Sequence, residues 1–385
     1  MPMFLNNKDQ EDCITPQAAM EALEQGIRQF ARGDGIRRPR IDNFLPTVNP
    51  KEYFCFSSME GGIRDPGYYA LRIKPEIYGW EEYAGKRRET TYSYQPGLYA
   101  GLVFLYSTKN SEFLAMMNDG YVQHLRVAST AALGIKYLSR PESKVMGVYG
   151  TGGMAHFFPL TAKVARPIER LQVYSLNHAR LEKYCEEMRP KIDCEIVPVS
   201  EPEAVCKNAD IVVACTNSME PVLNADWLEP GTHLSNVTHW ELGADTCARI
   251  GSAGLLVRRS PVSVKDYVDD DFGIRLNVMA YIGGTPEERA KVPVGKRSDN
   301  RYPNARYVDC CDWDTDAPYW SERRKDEITI LANCSYGTLE GEVGNSAGIQ
   351  GIQFASIGGR IYERARDMKL GIDFPREMFL QDIPT

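Results

Sequence analysis

The chain has 385 residues, a formal net charge of -7 at neutral pH and a hydrophobic content of 43%. This length exceeds what a single compact core usually supports and favours two domains. The acidic balance argues against a nucleic-acid partner, which would require a basic surface, and no apolar run approaches the roughly 20 residues that a membrane span needs.

The five histidines and ten cysteines show no metal-ligand spacing, so we expect no metal site. The N-terminal segment MPMFLNNKDQEDC lacks the basic start and the apolar centre of a signal peptide. The sequence therefore predicts a cytoplasmic protein without a membrane partner.

The first third of the chain is predicted to combine strands with two helices. Helical spacing of apolar residues predicts a helix over residues 15–30, and a second helix is expected over 127–138. Short apolar runs predict strands over 53–57, 68–73, 101–106 and 112–117. The polar and aromatic segment 75–95 is interpreted as a surface insertion. Its tyrosines suggest either a bulky or aromatic substrate, or a surface loop or dimer contact.

From Lys144 onward the pattern changes to alternating strands and helices. Apolar runs predict strands over 145–149, 170–175, 194–199 and 210–215, with helices over 178–188 and 201–208. Such alternation predicts a parallel sheet with right-handed crossovers, which residues 233–237 and 254–257 would extend. Segment 266–319 is irregular. A final helix over 349–369 carries small residues, which indicate that another helix or a ligand approaches it closely.

The stretch KVMGVYGTGGMA, residues 144–155, places a glycine-rich turn between a predicted strand and a predicted helix. In this context Gly150, Gly152 and Ala155 match the fingerprint of a dinucleotide-binding turn. Gly150 would form the turn, Gly152 would admit a pyrophosphate, and Ala155 would let the helix pack on the strand. The predicted cofactor-binding residues of the turn are Gly150, Thr151, Gly152, Gly153, Met154 and Ala155. Pro159 is expected to kink the following helix, and a turn without a ligand is the alternative.

The end of the next predicted strand bears on the choice of cofactor. Ser175 takes the position at which NAD-binding proteins usually carry an acidic residue that holds the ribose. No carboxylate there would repel a 2'-phosphate, whereas Ser175, Asn177, His178 and Arg180 could hydrogen-bond to one or neutralise it. The sequence therefore favours NADP(H) over NAD(H), although Arg180 could also be a solvated helix residue.

Several segments in this order resemble the ornithine cyclodeaminase and mu-crystallin family. They are MNDGYVQHLRVASTAALGIKYL, the glycine turn, ADIVVACTNSMEPVLNADWLEPGTHL, DEITI and GIQGIQFASIGGRIYERA. The resemblance covers roughly residues 15–371, apart from the segments after Lys74 and around 266–319.

The resemblance implies an α/β fold with two domains. A Rossmann dinucleotide-binding domain would occupy residues 128–325. A second, α+β domain for substrate binding and dimerisation would be built from residues 1–127 and 326–385. Members of the family move a hydride between a nicotinamide and the α-carbon of an amino or imino acid, and a homodimer is implied.

The same resemblance assigns the substrate-binding residues. Arg126 in HLRVAS and Arg40 in RRPRID would bind the substrate carboxylate, for which a planar guanidinium is a bidentate partner. Arg126 is expected to precede a helix whose N-terminus attracts the anion; a salt bridge to Asp119 is its alternative. Arg38 is the alternative for Arg40. Lys74 would hold the substrate and transfer a proton, unless it is a solvated lysine at a strand end.

Two further strand ends are expected to contact the cofactor. Cys215, Thr216 and Asn217 follow the run IVVA at the carboxyl edge of the predicted sheet, where ligands bind in open parallel sheets. The resemblance places this turn near the nicotinamide ribose, and it places Val237 beside the nicotinamide ring.

The segment GTHLSNVTHWELGAD, residues 231–245, departs from the family pattern. Cyclodeaminases carry a catalytic aspartate there, which this shorter segment does not match. His239 is therefore the candidate catalytic residue of this segment. His239 and Glu241 could serve a different substrate or stabilise the loop.

These features predict an NAD(P)H-dependent imine reductase or amino acid dehydrogenase that acts on a small α-imino or α-amino acid. One alternative is an ornithine cyclodeaminase, which the missing aspartate argues against. Another is a nucleotide-dependent binding protein without turnover. Lys74 and Arg126 favour an enzyme, because a binding protein needs no proton donor beside a carboxylate clamp.

Overall fold

The computed structural model describes residues 1–256, 272–275, 278–282, 285–292, 302–309, 325–331 and 348–383. The helices are α1 (Asn7–Cys13), α2 (Pro16–Ala31), α3 (Asp119–Leu138), α4 (Phe158–Ala165), α5 (His178–Met188), α6 (Ala244–Ala248), α7 (Pro286–Arg289) and α8 (Gln350–Met368). In these ranges, none of the helices has the length and apolar character that crossing a membrane would require.

The strands follow the same chain order. They are β1 (Met3–Leu5), β2 (Gly35–Pro46), β3 (Glu52–Ile63), β4 (Tyr68–Tyr83), β5 (Lys86–Tyr92), β6 (Leu102–Ser107), β7 (Phe113–Asn118), β8 (Val145–Tyr149), β9 (Arg170–Tyr174), β10 (Glu195–Pro198), β11 (Ile211–Ala214), β12 (His233–Asn236), β13 (Ile250–Leu255), β14 (Phe272–Arg275), β15 (Val278–Ile282), β16 (Arg306–Asp309), β17 (Ile328–Leu331) and β18 (Ile372–Asp373).

The first sheet is mostly antiparallel and has the order β14-β15-β2-β3-β4-β6-β7-β1-β18, with β5 paired to β4. Strand β3 alternates buried and half-buried residues, because one face packs inward and successive side chains point to opposite faces. Helices α2 and α8 pack with this sheet. Gly351 lets α8 lie against the backbone of Glu60, and Gly26 of α2 leaves room for Ser356 of α8. The close approach predicted for the last helix is therefore confirmed, with a strand and a helix as its neighbours.

The second sheet is parallel, with the order β10-β9-β8-β11-β12-β17-β13-β16. All four residues of β11 are buried, as expected for a parallel strand covered on both faces. The chain order of the strands reverses at β8, which creates the switch point where Rossmann folds bind ligands. The α/β prediction with a Rossmann sheet is confirmed.

Three predicted helical features differ from the structure. The helix expected over 127–138 begins at Asp119, because the apolar period already includes Val122 and Leu125. The helix expected over 201–208 is reduced to one 3-10 turn, Pro202–Val205. Pro159 does not kink a helix: a short 3-10 turn ends before Phe157, and α4 then begins with Pro159 in its first turn, where no hydrogen bond is lost.

Segment 75–95 is not a surface insertion. Strand β4 continues through it to Tyr83, and β5 returns alongside. Tyr78 is 3% exposed and packs with Phe44 and Tyr53, so this tyrosine belongs to the protein core rather than to a substrate pocket.

The segment predicted to be irregular contributes to both sheets. Strand β15 pairs with β2 in the first sheet, although residues 278–282 lie in the range assigned to the Rossmann domain. Strand β16 pairs with β13 in the second sheet. Val257 and most of segment 266–319 lie outside the described residues.

Candidate functional site

The inner face of the first sheet brings together two predicted substrate-binding residues. The Arg40 side chain lies 2.7 Å from Asp42 (Nε to Oδ1) and donates from Nη2 to Ser57 Oγ at 3.0 Å. Ser57 pairs across the ladder with Lys74, so Arg40 and Lys74 share a face. Arg38 instead bonds to Glu60 on the opposite face, because a bulge shifts the register between positions 38 and 41.

Lys74 lies within β4 rather than at a strand end. Its ammonium is 2.5 Å from Oε1 of Glu76, which is 2% exposed. Burial lowers the pKa of Lys74 below its usual value of 10.5, and the Glu76 carboxylate opposes that shift. A buried lysine with a lowered pKa can exchange a proton with a substrate more readily than a solvated lysine can.

Arg126 does not precede a helix but lies inside α3, so the expected attraction of an anion by the helix N-terminus does not apply. Its side chain is 1% exposed. It donates to Gln353 Oε1 at 2.7 Å and to Gln123 Oε1 at 2.8 Å, and its guanidinium lies 5.2 Å from the ring centre of Phe354. Both of these hydrogen-bond acceptors are neutral amides.

The salt bridge considered for Arg126 is made by Arg72 instead. Arg72 Nε donates to Asp119 Oδ2 at 2.8 Å, and its guanidinium packs 5.4 Å from the ring centre of Phe354, the ring that Arg126 also contacts. Sequence reasoning missed Arg72, yet the strand period in YYALRIK provides the signal, because it places Arg72 on the same face as Lys74.

The glycine turn has the geometry of a dinucleotide-binding turn. Gly150 has a φ of +105°, and a side chain there would come within 2.7 Å of the carbonyl oxygen of Cys215, so only glycine fits. Gly152 has open space where a side chain would be, which leaves room for a ligand. Ala155 is fully buried, and its carbonyl accepts a hydrogen bond from Tyr184. The residues present therefore fit a dinucleotide.

The end of β9 lies beside this turn. Thr151 Oγ1 donates to Ser175 Oγ at 3.2 Å, which connects the glycine turn to the position predicted to read the ribose. Asn177 caps α5 by accepting from the backbone N–H of Arg180 at 3.0 Å. The Arg180 side chain is exposed, which agrees both with phosphate binding and with a solvated helix residue.

The ends of β11 and β12 are joined by one carboxylate. Glu241 is fully buried, and its Oε1 accepts from the backbone N–H and the hydroxyl of Thr216 at 2.5 and 2.9 Å. Its Oε2 accepts from the backbone N–H groups of Val237 and Thr238, each at 2.9 Å. Glu241 thus holds together the two strand ends that are predicted to contact the nicotinamide and its ribose.

Cys215 and Asn217, the residues on either side of Thr216, do not bond to Glu241 but to backbone carbonyl groups. The Cys215 thiol donates to the carbonyl of Tyr149, and burial raises its pKa well above the usual value, which makes it unreactive. The Asn217 side chain donates to the carbonyl of Glu89 in β5 at 3.0 Å. His239 lies in the 3-10 turn His239–Glu241, but its side chain lies outside what the structure describes, so its catalytic role stays a prediction.

His124, which sequence reasoning did not select, lies between the glycine turn and the substrate-binding residues of the first sheet. A side chain at Gly153 would come within 2.7 Å of its imidazole. Burial lowers the pKa of His124 to about 4, and the nearby charges that act on it include Asp119, Lys74 and Arg72. His124 therefore places the glycine turn next to the face of the first sheet that carries Lys74 and Arg72.

We expect Glu241→Gln to weaken cofactor binding, because the amide N–H₂ cannot accept two of the four hydrogen bonds. At roughly 1 kcal/mol or more for each lost bond, the Kd should rise at least about tenfold.

Burial raises the pKa of Glu241 to about 7. The wild-type Kd should therefore rise as the pH falls through about 7, since protonation removes acceptors, whereas the variant's Kd stays flat. Fluorescence titration between about pH 8 and about pH 6 measures both; a flat wild-type curve would contradict the assignment.

Comparison with known proteins agrees with this architecture. The model of the ornithine cyclodeaminase/mu-crystallin family matches residues 2–249. A putative dehydrogenase of Rhizobium meliloti is 32% identical over 136 residues, which are 35% of this chain and 41% of that protein. Alanine dehydrogenase of Archaeoglobus fulgidus is 25% identical over 76% of this chain and 83% of its own length. Ketimine reductase mu-crystallin of Macropus fuliginosus is 23% identical over 61% of this chain and 71% of its own.

Solved structures share the fold along nearly the full length. Δ1-pyrroline-2-carboxylate reductase of Thermococcus litoralis, in complex with NADH and L-proline, superposes with a TM-score of 0.66 at 18% identity over 97% of this chain and all of that one. Iminosuccinate reductase of Paracoccus denitrificans, with NAD⁺, gives 0.60 at 18% identity over 97% of this chain and 99% of that one. Because the family model spans more than half of the residues, the chain belongs to the ornithine cyclodeaminase/mu-crystallin family.

Proposed function

We propose that this chain is a nicotinamide-dependent oxidoreductase that reduces the C=N bond of an α-imino acid or oxidises the matching α-amino acid. One observation carries the proposal. Arg40, Lys74 and Arg72 lie together on one face of the first sheet, each paired with a carboxylate, and His124 links that face to the glycine turn of the second. Relatives whose names describe alanine dehydrogenase and ketimine reductase activities support it.

The side chains divide the reaction between them. The Gly150 turn would hold a nicotinamide dinucleotide, which in its reduced form would supply the hydride equivalent that the imine carbon gains. Arg126 and Arg40 bind the carboxylate and orient the imine, and Lys74 gives a proton to the nitrogen, so that C=N becomes CH–NH. Glu76 accepts no proton in this scheme. Its carboxylate stabilises the ammonium form of Lys74 before the proton is transferred.

For the cofactor we propose NADP(H) over NAD(H). The support is Ser175, which is not acidic and lies 3.2 Å from Thr151 of the glycine turn. Titration of both reduced cofactors by fluorescence should show tighter NADPH binding. A preference for NADH of about tenfold, or ~1.4 kcal/mol, would reverse the choice.

The activity is tested by following NADPH and NADH oxidation with a panel of 2-oxo acids plus ammonia or methylamine, in which imines form. We expect turnover of at least one imino acid and no release of ammonia from ornithine above background. Glu241, an acid of the segment 231–245 that departs from the family pattern, has both oxygens occupied by backbone and Thr216 donors. Conversion of ornithine to proline at an enzymatic rate would instead establish the cyclodeaminase.

We also propose that the protein acts as a cytoplasmic homodimer. Residues 1–127 and 326–385, apart from β17, would form the substrate and dimerisation unit together with β14 and β15, and the rest of 128–325 together with β17 would form the Rossmann unit. The first sheet ends at the short strand β18, whose two residues are exposed. An open sheet edge requires a partner or a cover. A monomeric mass by light scattering at micromolar concentration would contradict the dimer.

A further inference from the structure

The tip of the β4–β5 hairpin, residues 77–92, makes contacts that the proposed chemistry does not use. Strand β4 pairs with β6 only as far as Ile73, whereas Ile77 to Tyr83 pair with β5. The turn at Ala84 and Gly85 has positive φ at both positions, which suits a tight two-residue hairpin turn. Beyond Gly79, where the pairing of β4 with β3 also ends, the hairpin extends away from its own sheet and toward the second one.

One edge of the hairpin is joined to the loop after β11. The backbone N–H of Glu89 donates to the carbonyl of Asn217 at 3.1 Å, and the N–H of Met219 donates to the carbonyl of Arg87 at 2.9 Å. Arg88 and Ser218 face each other as an antiparallel bridge. Lys86 adds a hydrogen bond to the carbonyl of Pro221 at 3.1 Å. Strand β5 thus continues as a short ladder with the loop that is predicted to lie near the nicotinamide ribose.

The tip of the hairpin reaches the opposite side of the groove. The Tyr83 hydroxyl lies 3.5 Å from Nδ2 of Asn177, which follows β9 at the predicted adenosine end of the site. The Arg88 guanidinium stacks 4.2 Å from the centre of the Tyr83 ring and pairs with Glu81. This stacking presents a flat aromatic and cationic surface at the position where an adenosine ribose and its phosphate would lie.

The two attachment points lie on either side of the glycine turn. Strand β8, which the turn follows, lies between β9 and β11 in the sheet. We propose that the hairpin is a strap across the dinucleotide groove, and that Tyr83 and Arg88 complete the adenosine half of the cofactor site. The strap slows the dissociation of the bound dinucleotide and must separate from the β11 loop when cofactor exchanges. This inference rests on the proposed dinucleotide site, but not on the substrate or the reaction.

The first experiment measures NADPH dissociation by stopped-flow displacement. Tyr83 is 37% exposed, so Tyr83→Ala should fold normally. We expect its dissociation rate to increase at least about tenfold with little change in the association rate. Tyr83→Phe keeps the ring and should change the rate by less than about twofold. Tyr94→Ala is the matched control, because Tyr94 is 93% exposed and lies outside the hairpin.

The second experiment closes the strap covalently. Directly opposed antiparallel residues are close enough for a disulfide, so Arg88→Cys combined with Ser218→Cys should cross-link under mild oxidation. The oxidised protein, loaded with NADPH beforehand, should release it at least about tenfold more slowly than after reduction. Arg88→Cys alone controls for the chain's own cysteines.

The possible outcomes distinguish a failure of the strap proposal from a failure of the proposed function. If the wild type binds neither NADPH nor NADH, both the proposed function and the strap are wrong. If the wild type binds cofactor but Tyr83→Ala releases it at the wild-type rate and the cross-linked protein releases it as fast as its own reduced form, the strap alone is wrong. Faster release from Tyr83→Ala together with slower release from the cross-linked protein supports it.

Discussion

Arg126→Ala should abolish turnover of imino acids while leaving cofactor binding unchanged. The guanidinium is buried and donates to the neutral amides of Gln123 and Gln353, and we propose that it also binds the substrate carboxylate. Removing one partner of a buried charge pair costs about 2 to 5 kcal/mol, which corresponds to a loss in kcat/KM of roughly 30-fold to several thousand-fold. Steady-state kinetics of the wild type and the variant on the same imino acid measures this loss.

Two further variants make the Arg126 result specific. Arg126→Lys should recover only part of the activity, because an ammonium cannot reproduce the planar fork. Arg64→Ala is the matched control, since Arg64 is an exposed arginine paired with Asp34 and should behave as wild type. Wild-type kcat/KM in folded Arg126→Ala would show that the carboxylate binds elsewhere.

Lys74→Met should lower kcat by about two to four orders of magnitude, the usual contribution of a positioned acid or base. The variant also leaves Glu76 buried without its ammonium partner, which should destabilise the fold by about 3 to 5 kcal/mol. Lys74→Met combined with Glu76→Gln removes both charges. We expect the double variant to regain much of the lost stability in thermal unfolding but none of the lost activity.

The pH profile gives an independent test of Lys74. Because burial holds its pKa below 10.5, the protonated form that donates to nitrogen is lost at a lower pH than for a solvated lysine. The wild-type kcat should therefore fall on the alkaline side, and the residual activity of the double variant should lack that limb. Lys144→Met, at an exposed lysine paired with Glu169, is the control. An unchanged alkaline limb in the double variant would assign it to another group.

Local patterns in the sequence were sufficient for the first part of the Rossmann sheet. The strand period, the helix period and the glycines of KVMGVYGTGGMA predicted β8, β9 and α5 to within a residue. They also identified Gly150, whose positive φ and contact with Cys215 are a requirement of the turn itself. Steric requirements of this kind involve residues that are close together in the sequence, so a single sequence is enough to predict them.

The assignment of Arg40 and Lys74 came from family resemblance, and their placement on one face followed from pairing across strands. A bulge in β2 decides that Arg40 rather than Arg38 faces Lys74, and no local signal predicts where a bulge falls. The same limit applies to Arg126. Its helix begins at Asp119, and its partner Gln353 is more than two hundred residues away in the sequence.

Only the tertiary structure showed which groups Glu241 and the hairpin contact. A carboxylate that accepts four hydrogen bonds from two loops is recognisable only when β11 and β12 lie side by side. Residues 75–95 resembled an insertion because their polar and aromatic composition is typical of a surface loop. Their partners, the β11 loop and Asn177, are about a hundred residues away or more. Composition and periodicity determined the elements, whereas long-range pairing decided which side chains meet.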